Sequence, residues 1–170
     1  RSTIRDPMTA QARHKLIAHS YFVGFGVCGS GMLAALVKSF EDSFGFTHAQ
    51  MGAQLGLANI CFAVAAVAGG VIYDRVGPRG VMTWTALLTA FGAVALALVP
   101  APWLFLPALA AFQFGNGLGC CVNALVGRLY GPDRTRGLSI LHGCQGLGRL
   151  LAPLLVLACL LLTGMWRSAF

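Results

Sequence analysis

Two apolar stretches of the chain carry polar side chains at helical spacing. The first set recurs at i, i+3, i+7 and i+10 and comprises Gln113, Asn116, Cys120 and Asn123. The second recurs at i, i+3 and i+7 and comprises His142, Gln145 and Arg149. At helical spacing each set shares one face. Such faces could bind a polar solute, or they could supply hydrogen bonds between helices. A hydrogen bond of the second kind is worth ~1 kcal/mol. Both interpretations stay open.

Arg149 is the hardest of these side chains to explain as a packing residue. It lies 11 residues inside the apolar run that begins near residue 138, or about 16 Å at the helical rise per residue. An arginine that deep needs a partner, a water-filled cavity, an anionic solute or backbone carbonyls. His142 lies near the end of the same run, where water can solvate it. Gln54 and Asn59 add two more candidates in an earlier run.

The composition places these residues in a membrane. The chain has 170 residues, of which 57% are hydrophobic and only 10% charged, and its mean hydropathy is +0.75. Soluble domains carry roughly 25% charged residues. These values exclude a soluble enzyme, a disordered tail and a nucleic-acid-binding domain, although the net charge is +7.

Five runs are long enough to cross a bilayer, which takes ~20 apolar residues. The spacing predicts spans over residues 16–37, 51–72, 80–99, 103–126 and 138–162. We therefore expect an all-α, multi-pass membrane protein with a tail over residues 1–15 and a helical bundle over residues 16–170. Loops are predicted at Glu41–Ser43, Asp74–Arg79, Pro100–Pro102 and Gly131–Arg134.

The basic residues predict the orientation of the chain. With the N-terminus in the cytoplasm, nine of the 12 Lys and Arg residues fall inside: Arg1, Arg5, Arg13, Lys15, Arg75, Arg79, Arg128, Arg134 and Arg136. Only Lys38 and Arg167 fall outside, and Arg149 lies within a span. Because cytoplasmic loops are enriched in Lys and Arg, this bias predicts a cytoplasmic N-terminus. The plasma membrane is the expected location, although the bias itself does not identify the membrane.

The cysteines and histidines do not form a catalytic or metal-binding pattern. The six cysteines are scattered through the apolar runs without a CxxC pair or a zinc-type spacing. We expect them to be small packing residues. With no clustered nucleophile, metal set or redox pair, the sequence predicts neither an enzyme nor a cofactor.

The segment Gly70–Arg79 between the second and third spans has the most specific pattern in the chain. Gly70 is expected to let a neighbouring helix approach, and Gly77 to form a tight turn with the proline that follows. Asp74 is expected near the N-terminus of a helix, where the dipole favours a carboxylate. Arg75 and Arg79 are expected to hold this loop in the cytoplasm.

This segment resembles the G-x-x-x-D-R-x-G-R-R signature of the major facilitator superfamily of transporters, with Pro78 where an arginine is usual. Two further stretches agree in order, although Gln113 replaces the usual arginine of R-x-x-x-G-x-G and Ala152 replaces a glycine of G-x-x-x-G-P. The final residues, Met165–Phe170, resemble the W-R-x-x-F beginning of the sixth helix. The resemblance implies a transporter that moves a solute by alternating access, with Gly70, Asp74, Arg75, Gly77 and Arg79 as its conformational switch.

The resemblance further implies twelve spans in two halves, with the solute bound between them. The chain then corresponds to most of an N-terminal half, truncated before helix six, whose partners are the bilayer, a small solute and a missing C-terminal half. The region around Asn123 and His142 resembles the sugar-permease branch related to fucose transporters, and carboxylate transporters share much of it. A sugar-like solute or an organic anion is therefore expected.

Two questions stay open at the level of the sequence. No Asp or Glu falls in a predicted span, so proton coupling would have to use His19, His142 or another half, and facilitated diffusion is equally allowed. The same fold could also serve as a membrane scaffold that has lost transport.

Overall fold

The computed structural model describes residues 7–170 of the chain, with side chains from Gln11 onward, and this part is entirely helical or looped. The helices are α1 (Pro7–Gly26), α2 (Met32–Phe44), α3 (His48–Leu98), α4 (Pro102–Leu118), α5 (Val122–Tyr130) and α6 (Arg134–Thr163). Within the described residues they form three stretches long and apolar enough to cross a membrane: Gln11–Phe44, His48–Leu98 and Pro102–Thr163. Arg1 and Arg5 lie outside the described residues.

The first stretch is one bent helix that extends well beyond the predicted span of residues 16–37. A π-helical segment, Val27–Gly31, joins α1 to α2, and Gly29 in it departs from helical geometry (ψ −117°). The predicted loop at Glu41–Ser43 is wrong, because α2 continues to Phe44 and ends where Gly45 adopts φ 70°. Hydropathy did not predict this part of α2 because it contains polar residues. Among them, Lys38 and Asp42 pair at i, i+4 (2.5 Å).

The second stretch, α3, joins the two spans predicted at residues 51–72 and 80–99. Thr47 begins it with a capping box that includes Gln50. The loop predicted at Asp74–Arg79 is wrong except at one point, since the helix continues on both sides of Gly77. Gly77 has φ 74° and ψ 174°, a backbone region that only glycine adopts without strain. Pro78 then starts the next helical arm.

The bend at Gly77 makes α3 double back on itself. In the first arm, Asn59 contacts Gln113 and Phe62 lies against Gly117, so this arm runs parallel to α4. In the second arm, Thr89 lies against Gly115 and Gly92 against Phe112, so this arm runs antiparallel to α4. The two arms, 48–76 and 78–98, are therefore antiparallel to each other.

The third stretch contains the spans predicted at residues 103–126 and 138–162, and its helices extend a few residues beyond both. A 3-10 turn at Gly119–Cys121 separates α4 from α5, and a second at Gly131–Asp133 separates α5 from α6. The predicted breaks at Pro100–Pro102 and Gly131–Arg134 are confirmed, because helices begin at Pro102 and Arg134. The predicted start of a sixth helix is a short 3-10 turn, Trp166–Ala169.

Glycines let α1 and α6 pack with their backbones in contact. A Cβ on Gly148 would overlap the carbonyl oxygen of Val23 and lie 2.9 Å from the Cα of Gly26. Further along, a Cβ on Gly31 would lie 2.7 Å from the Cβ of Ala152. The contacts advance in the same direction on both helices, so α1 and α6 are parallel. Close approach of this kind supplies the dispersion energy that holds helices together in lipid.

These directions collect the helix ends at two opposite poles of the bundle. At one pole, which we call the basic end, Gln11 donates a hydrogen bond to the carbonyl of Leu129 (2.9 Å) and Lys15 lies over the ring of Tyr130. The other pole, the aromatic end, contains a cluster formed by Phe40, Phe44, Phe46, Phe105, Trp166 and Phe170. There the Trp166 indole donates to Ser43 (2.7 Å), and the Arg167 guanidinium donates to the carbonyl of Val99 (2.7 Å).

Candidate functional site

The conformational-switch residues predicted from the sequence lie at the basic end, where they contact the end of α5. The Asp74 carboxylate lies 3.5 Å from an Nη atom of Arg128, and both side chains are largely exposed (73% and 68%). The Arg128 guanidinium also lies over the ring of the buried Tyr73, 4.9 Å from its centroid. An exposed pair of this kind contributes ~1 kcal/mol or less. The contact is therefore weak enough to break in a conformational change.

Two details of this segment differ from the sequence prediction. Asp74 lies in the last turn before the bend at Gly77, so it faces Arg128 and not the N-terminus of the next arm. Gly70 is exposed, and a Cβ built on it meets nothing within 4 Å among the described residues. Its neighbour Gly69 makes the close approach instead, since a Cβ there would lie 3.1 Å from the carbonyl oxygen of Leu118. In two adjacent glycines, the sequence alone does not say which one faces the neighbour.

The other residues of the predicted switch lie at the bend of α3 and on either side of it. Gly77 holds the left-handed conformation that turns α3 back on itself. Arg75 and Arg79 are both exposed beside it. The Arg79 carbonyl accepts a hydrogen bond from the Thr83 hydroxyl (2.9 Å), which stabilises the first turn of the second arm.

The amides of the second and fourth predicted spans differ in their hydrogen-bond partners. The buried Gln113 donates to Asn59 across the helix interface (2.7 Å), which joins the first arm of α3 to α4. Asn116 is only 2% exposed and donates to the carbonyl of Phe112 in its own helix (3.0 Å). The oxygens of Gln54 and Asn123 are buried without a hydrogen-bond partner in the described part of the chain.

The three polar residues of α6 stay outside the packed interface, although the sequence is right that they share one face. His142 and Arg149 are exposed and Gln145 is half-buried. The His142 Nδ1 lies 3.4 Å from the Gln145 amide oxygen, and its ring packs edge-on against Phe22. Between residues 11 and 170, no hydrogen bond or ion pair involves the Arg149 side chain. The structure therefore does not provide Arg149 with the structural partner that a packing role requires.

A cavity of about 430 Å³ opens between α1, the second arm of α3, and α4. Of the candidate solute-facing residues, Asn116 alone lines it; Gln54, Asn59, Gln113, Asn123, His142, Gln145 and Arg149 do not. Most of the other lining residues are small or apolar. The structure thus places one candidate at this cavity, three on the flank of α6, and the other four in neither place.

The sequence prediction missed a buried acidic residue at the aromatic end. Glu41 was assigned to a loop, but it lies in α2, is only 6% exposed, and contacts the Nδ1 atom of His48 at 2.6 Å. The apolar spacing of Leu36 and Phe40 continues the packed face of α2 to this residue, and this was the available signal. Nearby, the ion pair with Asp42 raises the pKa of the exposed Lys38 ammonium.

A known family matches most of the chain and not only one motif. The profile of the Major Facilitator Superfamily matches residues 21–170. The chain belongs to the Major Facilitator Superfamily. This superfamily consists of membrane transporters and not of enzymes, and the chain carries part of its multi-pass membrane fold.

Individual relatives agree with the family at low sequence identity. The multidrug resistance protein MdtH of Cronobacter sakazakii is 29% identical over 117 residues, which cover 69% of this chain and 26% of that protein. MdtH of Proteus mirabilis is 30% identical over 96 residues (56% and 21%). The peptide transporter YePEPT of Yersinia enterocolitica is 30% identical over 156 residues (88% and 30%). The chain therefore spans less than a third of the length of these relatives.

Proposed function

We propose that this chain forms part of the N-terminal half of a secondary transporter that moves a small polar solute by alternating access. The helical segments 11–44, 48–76, 78–98, 102–130 and 134–163 would be five membrane crossings, because each exceeds the ~20 residues that a crossing requires. The antiparallel arms of α3 and the gathering of helix ends at two poles support this count. The basic end would face the cytoplasm, together with the N-terminus.

The observation that carries the proposal is the exposure of His142 and Arg149 on α6. Polar and charged groups within a membrane are costly and face water, protein or a bound solute. Helices that served only as a membrane anchor would not require His142 and Arg149 to be exposed. In a transporter with two halves, such residues would line the path between the halves.

We further propose that Asp74 and Arg128 act as a latch at the cytoplasmic pole. Their contact joins the bend between two arms of α3 to the end of α5. Because both side chains are exposed, water can replace the contact at little free-energy cost when the helices move. Gly77 would be the hinge beside it.

The cavity beside α1 is proposed to receive a further transmembrane helix and not the solute. Gly24, Ala86, Ala90 and Ala93 give it a floor of small residues, which suits the close approach of a helix. Ala169 and Phe170 lie at its border, where the sequence resembles the beginning of a sixth helix.

The solute is proposed only by class. Two of the relatives are named multidrug resistance proteins and one a peptide transporter. None of the three is named for a sugar, so the resemblance to sugar permeases has no support from them. A small polar solute, sugar-like or anionic, is compatible with the amides, the imidazole and the guanidinium described above.

Reconstitution tests the transport proposal. The full product of the gene that contains this sequence, placed in proteoliposomes, should take up at least one of four labelled solutes faster than protein-free vesicles: a hexose, a dicarboxylate, a dipeptide and an aromatic cation. The Asp74→Asn variant should slow that uptake by about tenfold, the size of a typical coupling free energy. Asp133→Asn, which removes another exposed carboxylate at the same pole, is the matched control.

Each result has a separate meaning. Uptake of none of the four solutes would contradict the transport proposal and favour a membrane scaffold. Uptake that Asp74→Asn leaves unchanged would contradict the latch while transport itself stands.

A further inference from the structure

The surface of α6 divides into three stripes when its residues are placed at 100° per residue. One stripe, which contains Leu141, Gly148 and Ala152, is buried against α1 and its neighbours. A second, the polar flank, consists of His142, Gln145 and Arg149, which lie within about 60° of one another. The third is an exposed apolar face roughly 130° away from the polar flank. It comprises Leu147, Leu150, Leu154, Leu157 and Leu161.

The apolar face and the polar flank cannot have the same surroundings. Five exposed leucines are suited to lipid, where they cost nothing to expose. A guanidinium and an imidazole in lipid cost several kcal/mol. Lipid therefore covers the leucine face, and the polar flank turns toward water, protein or a solute.

Arg149 lies near the midpoint of α6 along the helix axis. It is 15 residues from Arg134 and 14 from Thr163 at the two ends of α6, or about 22 Å and 21 Å along the helix axis. An arginine side chain is too short to reach either aqueous surface from there. Its charge has to be balanced at the level where it lies.

The described part of the chain supplies no carboxylate at that depth. Asp74 and Asp133 lie at the basic end, and Glu41 and Asp42 lie in the last turn of α2 at the aromatic end. Those four are the acidic side chains between residues 11 and 170. The middle of the bundle thus carries a positive charge that no described residue neutralises.

Resting on the proposed transport function, we infer that Arg149 binds the carboxylate of an anionic organic solute, with Gln145 as a second hydrogen-bond donor. The planar guanidinium can donate two parallel hydrogen bonds to a carboxylate, which fixes both charge and geometry. Gln145 lies one turn before it on the same flank. His142 contacts the Gln145 oxygen, which leaves the amide nitrogen of Gln145 free to donate.

The position of Arg149 also connects the proposed site to the bend in the first helix. A Cβ on Gly31 would lie 3.1 Å from the Cα of Arg149, so the backbone of Arg149 rests against the π-helical segment Val27–Gly31. Segments of this type are frequent at functional sites, where they allow a helix to bend. A bound anion would thus act next to the point at which α1 and α2 can move.

A binding experiment with matched solute pairs tests the inference. The full gene product, purified in nanodiscs, is titrated calorimetrically with four acids and their neutral amides: acetate and acetamide, benzoate and benzamide, succinate and succinamide, N-acetylalanine and N-acetylalaninamide. At least one acid should bind more tightly than its amide. Arg149→Gln should raise the Kd of that acid by about tenfold or more, as expected when the carboxylate loses its charge partner.

Three controls make the result specific. Lys38→Gln removes an exposed positive charge at the aromatic end and should leave acid binding unchanged. Arg149→Lys keeps the charge without the planar fork and should retain part of the affinity. Phenylglyoxal, which modifies arginine, should label Arg149 in the unaltered protein, and the acid but not its amide should protect it; this measurement needs no variant to fold.

The outcomes separate this inference from the proposed function. If no acid binds better than its amide, or if acid binding survives Arg149→Gln, the carboxylate site is refuted, even if a neutral solute is transported. If the acid binds through Arg149 but is not taken up into proteoliposomes, the site stands and the transport proposal fails for that solute.

Discussion

At the scale of single residues, the chain shows how similar polar side chains take different roles. Gln113 and Asn59 satisfy each other across two helices, whereas Arg149 has no described partner. The difference lies in whether another polar side chain is available at the same depth in the bundle. A hydrogen bond between helices is worth ~1 kcal/mol, and an uncompensated charge costs several times that amount.

The Gln113–Asn59 bond gives a prediction at this scale. Gln113→Leu should destabilise the bundle by about 1–3 kcal/mol, because it leaves a polar group of Asn59 without its partner. Asn59→Leu should have a similar effect. The double variant should recover part of the loss, since it removes both ends of the bond.

Reversible unfolding in mild detergent would measure these differences as a double-mutant cycle. Additive effects of the two substitutions, with no recovery in the double variant, would show that the contact contributes nothing to stability.

At the scale of the helices, small residues determine how closely the elements pack. Gly148 lets α6 contact the backbone of α1, and Gly29 and Gly31 lie in the segment where the first helix bends. Gly77 has a separate function, because its positive φ turns one helix into two antiparallel arms. Glycine thus has three roles in this fold: it permits close contact between helices, it lies where a helix bends, and it forms a turn.

Two glycines of α6 allow a matched prediction at this scale. Gly148→Ala should destabilise the α1–α6 interface, since its new Cβ would overlap the carbonyl oxygen of Val23 and force the backbones apart. Gly143→Ala, in the same helix, meets nothing within 4 Å in the described structure. It should be neutral or stabilising by up to about 1 kcal/mol, the difference in helix propensity between Gly and Ala.

Thermal melting of the two purified variants would test this difference directly. Equal melting temperatures for Gly148→Ala and Gly143→Ala would mean that the helices do not approach as closely as the structure indicates.

At the scale of the whole molecule, the bundle has two chemically distinct poles. Seven Lys and Arg residues of the described chain belong to the segments at the basic end: Arg13, Lys15, Arg75, Arg79, Arg128, Arg134 and Arg136. The aromatic end carries Lys38 and Arg167. Because positive residues favour the cytoplasmic side, this asymmetry predicts that the basic end faces the cytoplasm.

The orientation is a prediction that labelling can check. In intact cells, a membrane-impermeant maleimide should label a cysteine introduced at Thr47, at the aromatic end, and should not label one at Asp133, at the basic end. After the cells are permeabilised, both should react. Labelling of the Asp133 position alone in intact cells would reverse the proposed topology.

The sequence by itself predicted the class of this protein and the approximate positions of its apolar helical segments. Apolar runs of sufficient length, broken by Pro100–Pro102 and Gly131–Arg134, were enough, because lipid leaves the backbone few alternatives to a helix. The motif at Gly70–Arg79 was enough to indicate the family. The helices extend beyond the predicted spans, since a helix can continue through polar residues that hydropathy does not detect.

The tertiary structure alone decided which residues meet. The choice of Gly69 over Gly70 as the contact, the pairing of Asp74 with Arg128, and the burial of Glu41 depend on the rotation and depth of helices relative to their neighbours. A sequence pattern defines a face but not what lies opposite it. For the same reason, the sequence placed Asn116 and Arg149 among the same candidates, and only the packing of the helices separated the cavity from the flank of α6.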